Sequence, residues 1–230
     1  MFGVGIDTSD RTTVIAPTDL ELLGGQIVMI TGPSGGGKSC LLRVIERSVA
    51  DREDVRVIDF GRMGELPDRP LVDCLDGVPL ERLMGLLAVA GLNDAAVMLR
   101  RPCDLSDGQR YRLSMAQMLV AVESGGDDRL CIVLADEFAS SLDRVTAQVV
   151  CRNVRKWVNG EGAMRRVCFV AASAHDDLLE ALAPDVLVFK DLGSRMEVLT
   201  RANLEEPQRG TGPFFAADGR KMRQSPGSSR

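Results

Sequence analysis

Gln26-Ile-Val-Met-Ile-Thr31 runs directly into Gly32-Pro-Ser-Gly-Gly-Gly-Lys38-Ser39, and a leucine-rich amphipathic segment follows to about Val49. The first stretch is a short continuous apolar run, as in a strand buried on both faces. In the third, Leu41, Leu42, Ile45 and Val49 fall on one helical face. Between them every fixed position of G-x-x-x-x-G-K-S/T is filled, in the strand-then-helix context that the motif requires. Gly35, Gly36 and Gly37 let the backbone turn so that successive N–H groups point inward at an anion. The helix N-terminus adds positive potential. The expected cradle is therefore Gly32, Pro33, Ser34, Gly35, Gly36, Gly37, Lys38, Ser39 and Cys40. Lys38 is placed to reach the β- and γ-phosphates of a nucleoside triphosphate, and the Ser39 hydroxyl to ligate Mg²⁺.

Outward from this loop, strands and helices alternate. Val55–Phe60, Leu130–Ala135, Val167–Ala172 and Val186–Phe189 read as further strands, with Met196–Thr200 closing a hairpin on the last. Helices are expected over 79–90, 110–122 and 143–158. In the first of these Leu80, Leu83, Met84 and Leu87 should form the buried face, with a stop near Gly91. In the last the buried face should be Val150, Val154, Trp157 and Val158. Alternation of this kind implies an α/β fold of P-loop type, with a mostly parallel sheet flanked by helices. Residues 1–206 should make the domain, with a small helical subdomain over about 71–122. Residues 207–230 hold five Lys or Arg against one Asp and are rich in Gly, Pro and Ser, so a disordered basic tail is expected.

Leu130-Cys-Ile-Val-Leu-Ala135 ends on Asp136-Glu137, two carboxylates at the C-terminal end of a buried strand, where open α/β sheets gather their ligands. Asp136 is placed to hold Mg²⁺ through water, and Glu137 to polarise an attacking water.

Composition narrows the alternatives. The chain has 230 residues and a net charge of −5, which argues against a broadly basic nucleic-acid binder. It has one His, and aromatics make up 4%. A His-rich metal site and a base-stacking aromatic surface are thereby nearly excluded, and any imidazole chemistry must use His175. No apolar run approaches the roughly 20 residues of a membrane helix. The six cysteines form no CxxC pair and read as reduced thiols in a cytoplasmic protein. The Met residues read as core filler, and Arg100-Arg101 as a solvated face.

Three further segments complete a family pattern. Leu105-Ser-Asp-Gly-Gln109 has capping-box spacing, Ser106 to Gln109, at the start of a helix. Ser140-Ser-Leu-Asp143 follows the acidic pair, and Ala172-Ser-Ala-His175 follows the next strand. With the phosphate loop and the acidic strand end these give five motifs in order over about residues 20–190. In them the chain resembles the ATP-binding cassette (ABC) ATPases. Leu105–Gln109 is similar to their LSGGQ signature, with Asp107 in place of the first Gly; Ser140–Asp143 to their D-loop; His175 to their switch histidine. Asp143-Arg-Val-Thr-Ala147 and His175-Asp-Asp-Leu-Leu-Glu180 resemble a soluble subgroup, some of whose members are fused to acetyltransferase domains.

The resemblance implies Mg²⁺-dependent ATP hydrolysis by two copies closed head to tail. Each phosphate loop would bind ATP, and Ser106, Gly108 and Gln109 of the other copy would cap the γ-phosphate, with Asp143 of the D-loop among the nucleotide-binding residues. His175 would contact the γ-phosphate and orient the water with Glu137. Asp107 would repel a triphosphate unless it turns away or pairs with a base such as Arg110. The family's Q-loop glutamine has no counterpart, because residues 40–104 contain no Gln. Glu65, in the loop Gly61–Pro70, is the nearest polar stand-in, including as a metal ligand. No aromatic but Phe2 precedes Lys38, so the adenine contact falls to apolar side chains such as Val14 or Ile15. The missing Gln favours a soluble ATPase that drives an unknown protein partner over a transporter subunit. A nucleotide-sensing module with little turnover is the alternative of another class. A small-molecule kinase shares only the phosphate loop, and a chromosome-organising ATPase would need coiled-coil heptads that are not there. Neither membrane insertion nor a nucleic-acid partner is indicated.

Overall fold

A computed structural model describes residues 15, 17–126, 128–160 and 166–201. Residues 2, 14 and the 207–230 tail, which figured in the expectations above, lie outside these. The alternation of apolar runs becomes one six-stranded sheet: β1 (Ile27–Thr31), β2 (Val55–Asp59), β3 (Leu130–Ala135), β4 (Val167–Ala172), β5 (Val186–Lys190) and β6 (Met196–Thr200). Their order across the sheet is β2-β3-β4-β1-β5-β6. All neighbours pair parallel except β5 with β6, the expected hairpin. β1 and β4 are buried along their whole length, which is why their sequences are continuous apolar runs; the edge strand β6 is half exposed.

Side chains of one strand alternate between two cores. Val28 and Ile30 join Leu41, Leu42 and Ile45 of α1 (Lys38–Ser48) on one face. Ile27 and Met29 join the other face, covered by α5 (Arg144–Val158) through Ala147, Val150, Val154 and Trp157. That second core continues into α2 (Leu80–Val89), α3 (Ala95–Met98) and α4 (Asp107–Ser124). These three helices, with short 3-10 turns, occupy the stretch between β2 and β3.

One expectation is rotated by packing. In α2 the buried residues are Leu83, Leu86 and Leu87, while Leu80 and Met84 are exposed. α2 touches both α4 and α5, so the turn facing them wins over the stripe that spacing alone selects. Its end is as expected. Gly91 has φ 80°, and the Leu92 amide reaches back to the Leu87 carbonyl at 2.7 Å, closing a Schellman turn.

Candidate functional site

The phosphate loop is shaped by contact with the end of β5. Gly32 (φ 136°) lies so close to the Lys190 backbone that a Cβ there would overlap the Lys190 carbonyl oxygen. A Cβ on Gly36 would meet the same oxygen, and that of Pro33, at 3.0 Å. These two positions therefore require glycine for room, and Gly35 and Gly37 (φ 76° and 94°) for conformation. Lys38 Nζ lies across the loop, donating to the Gly32 and Pro33 carbonyls at 2.8 Å each. Ser39 and Cys40 follow in the first turn of α1. Pro33, Ser34 and Cys40 are exposed, so the cradle is an open surface.

Sheet order then decides what stands beside it. The loops that leave β3, β4 and β1 carry Asp136-Glu137, His175 and the phosphate loop, and those strands are consecutive neighbours. Cross-strand bonds hold the three exits together: Phe138 N–H donates to the Ala172 carbonyl (2.8 Å) and Ser173 N–H to the Ile30 carbonyl (3.0 Å). Asp136 Oδ1 accepts the Glu137 amide at 3.0 Å. Glu137 (φ 47°) and Ala139 (φ 59°) are both left-handed, a conformation that costs a non-glycine residue about 1 kcal/mol or more and turns the chain sharply. Glu137 is left exposed at that turn.

His175 is half buried and its loop is tied on both sides. Its amide donates to Ser173 Oγ (3.3 Å), a residue that is itself buried. Next to it, Asp176 Oδ1 accepts from the buried Thr31 hydroxyl at 3.0 Å, joining this loop to the last residue of β1. Asp177 pairs with Arg144, the first residue of α5. Asp143 caps α5 by accepting the Thr146 amide at 3.0 Å, and bonds from Thr146 hold its carboxyl below the usual range.

Leu105–Gln109 forms the reciprocal cap that its spacing predicts. Ser106 Oγ accepts the Gln109 amide (3.3 Å), and Gln109 Oε1 accepts the Ser106 amide (3.0 Å). Gly108 lies in the first turn. Asp107 pairs with Arg110 at 2.5 Å. Among the described residues, no hydrogen bond or ion pair joins 105–110 to the phosphate loop of the same chain.

Sequence reasoning missed Tyr111 and Asp176. The Tyr111 hydroxyl accepts the Ala139 amide at 2.7 Å, so α4 touches the turn that carries Glu137. Burial pushes its phenol well above the ordinary value. Its ring also meets Phe60 edge-on at 5.2 Å. Being the chain's one tyrosine was the only available signal. Glu65 is exposed on the loop after β2, and nothing ties it to the phosphate loop. A glutamine touches the loop after β2 from α4, where Gln117 Nε2 donates to the Gly64 carbonyl at 3.0 Å. Ile15 packs half-buried against the α1-side core. A groove of about 560 Å³ between α2 and α5, lined by Arg82, Asn153 and Trp157 among others, takes no residue from the phosphate loop.

The donors present suit Mg²⁺. Ser39 and Asp136 offer hard oxygens on loops that leave one edge of the sheet, from β1 and β3 with β4 between them, and no cluster of three His, Cys, Asp or Glu makes a protein-only cage among the described residues. Mg²⁺ is usually held in this way, by one or two protein oxygens together with substrate phosphates.

Relatives among known proteins identify the family. No protein-family model matches the chain. The aliphatic sulfonates import ATP-binding protein SsuB of Ralstonia nicotianae is 31% identical over 224 residues, covering 88% of this chain and 72% of that protein. The chain belongs to the ABC ATPases. This cassette is also 27% identical over 210 residues to the phosphonates import ATP-binding protein PhnC of Hyphomonas neptunium (75% and 76% covered). It is 28% identical over 215 residues to the macrolide export ATP-binding/permease protein MacB of Pasteurella multocida, of whose length it spans only 31%. The ABC transporter cassette MJ0796, solved as a dimer, shares the fold at TM-score 0.56 and 18% identity, covering 83% of this chain and 92% of that one. As a member of this family the cassette is a P-loop ATPase.

Proposed function

We propose that two copies of this cassette close head to tail around two ATP molecules, and that closure and hydrolysis drive a partner protein. The observation that carries the reading is the sheet order β3-β4-β1. It brings the acidic pair, His175 and the phosphate loop to one edge, while, among the described residues, 105–110 make no bond to that loop and are left for another copy. In this reading the glycine amides and Lys38 bind and neutralise the β- and γ-phosphates. Ser39 and Asp136 would hold Mg²⁺, which would supply charge neutralisation at the transferring phosphoryl group. Glu137 orients a water and accepts its proton as the water oxygen attacks Pγ and the bond to the β-phosphate oxygen breaks. His175, its loop tied by Ser173 on one side and by Asp176 and Asp177 on the other, fixes the γ-phosphate and the water. Ser106, Gly108 and Gln109 of the second copy complete the site, with Asp143 and its loop at the seam.

The decisive experiment measures phosphate release with Mg²⁺ from the parent protein, Lys38→Ala and Glu137→Gln. Both variants should fall by at least about 100-fold, as loss of a central phosphoryl-transfer group does. Glu137→Gln should still bind ATP and migrate as a dimer in its presence. Equal turnover in all three would overturn the reading. ATP-dependent dimerisation of a parent without turnover would favour a nucleotide-sensing module.

A specific finding bears on the partner. The relatives above are named as import ATP-binding proteins or as an ATP-binding/permease protein, which favours a membrane permease over a soluble client. Among the described residues no helix is long and apolar enough to cross a membrane, so a permease would be a separate chain or domain. The Glu137→Gln variant, isolated from a membrane fraction and from a soluble fraction, separates the two by where its partner co-purifies.

A further inference from the structure

Asp107 is the chain's departure from the family pattern at the place where a phosphate should be received. It stands in the first turn of α4 with its side chain 91% exposed. By the geometry of a helix, the amides of Asp107, Gly108 and Gln109 have no intrahelical partner. Ser106 Oγ takes the Gln109 amide, which leaves those of Asp107 and Gly108 to face an incoming anion. A carboxylate left free at this point would favour its own helix N-terminus and oppose a triphosphate.

Arg110 changes that balance. Its Nη2 donates to Asp107 Oδ1 at 2.5 Å, and its Nη1 donates to the Leu105 carbonyl at 2.7 Å. The guanidinium thus reaches back to the start of α4, bonded to the backbone just before the N-cap and to the carboxylate in the first turn. We propose that Arg110 is the positioning residue that makes an aspartate workable in this signature. It holds the Asp107 carboxylate in an ion pair and offsets its charge, so that the Asp107 and Gly108 amides receive the γ-phosphate held by the second copy. This rests on the head-to-tail reading above. Loss of Arg110 therefore matters only while residue 107 carries a charge.

The test is a cycle that removes each charge singly and then both. Phosphate release with Mg²⁺ and ATP is measured for the full-length parent, Arg110→Gln, Asp107→Asn and the double variant. Dimerisation with ATP is followed for the same set in a Glu137→Gln background. Arg110→Gln should lose roughly ten-fold in kcat/KM, a like-charge penalty across the interface, and the loss should shrink as salt is raised. The double variant should recover to within about three-fold of Asp107→Asn, because the charge that needed cancelling is gone. If the double variant is as impaired as Arg110→Gln, Arg110 serves only to hold Leu105, and the inference is overturned. Full activity of Arg110→Gln at low salt overturns it as well. If the Glu137→Gln parent itself stays monomeric with ATP, the head-to-tail reading fails first, which distinguishes the two failures.

Discussion

Gly32 and Lys190 show how much one backbone contact decides at the residue scale. The Lys190 side chain is fully buried, and its ammonium is satisfied within the β5–β6 turn by the Asp191 carbonyl (2.8 Å) and the Gly193 carbonyl (2.5 Å). Its own carbonyl oxygen backs the phosphate loop at Gly32 and Gly36. A side chain at 32 must both adopt φ 136° and displace a carbonyl held in the sheet. Gly32→Ala should therefore lose roughly 2–3 kcal/mol in urea unfolding and bind ATP more weakly. Unchanged stability and affinity would show that the β5 contact does not shape the loop. The glycine requirement at 32 was legible from the motif. The partner that enforces it was not, because Lys190 lies far along the chain, one residue past the strand Val186–Phe189 read there.

The element that repays attention is α4. Its start was readable from Ser106 and Gln109, and the cap forms as the spacing says. Its role beyond the cap comes from packing. Tyr111 reaches the Glu137 turn, Gln117 the loop after β2, and Arg56 of β2 donates to the carbonyls of Ala121 and Val122 in its last turns. Tyr111→Phe deletes the acceptor of the Ala139 amide and leaves a partly buried donor unpaired. It should cost about 1–2 kcal/mol in thermal or urea unfolding. If the contact also holds Glu137, it should lower kcat more than it raises KM for ATP; an unchanged kcat would confine Tyr111 to packing. The periodicity that placed α2 correctly chose a stripe including Leu80 and Met84, which are exposed. An amphipathic pattern reports that a helix has a buried side, but neighbours on two flanks set its angle.

Across the whole molecule, Asp185 ties the ends of the sheet to a helix. Its carboxylate accepts two bonds from Arg155 of α5 (2.6 and 3.0 Å) and one from the Ile27 amide at the start of β1 (2.9 Å), with Arg201 at 3.9 Å. Burial alone would raise its pKa, but the Arg155 pair, the Ile27 amide and Arg201 outweigh it and hold the carboxyl below the usual value. A depressed folded-state pKa contributes stability that is fully present above the ordinary carboxylate range, near pH 4, and is lost as pH falls through the folded value. Asp185→Asn should accordingly destabilise the cassette by roughly 1–2 kcal/mol at neutral pH, between the exposed and the buried ion-pair cases. The parent and variant stability curves should draw together in acid; a constant gap down to pH 2–3 would contradict the assignment.

The sequence by itself determined the strands, most helix boundaries, the phosphate loop and the cap of α4, because each rests on local chemistry: hydrophobic period, glycine conformation, side chain to backbone bonds a few residues apart. It also placed Asp136, Glu137 and His175 at strand ends. Only the tertiary structure decided that those ends are neighbours, since the order β3-β4-β1 depends on crossovers that no local pattern encodes. It likewise decided which distant groups hold them there, Thr31 for the His175 loop, Tyr111 for the Glu137 turn and Lys190 for the phosphate loop. Those contacts join residues brought together by packing, and packing is a property of the whole chain.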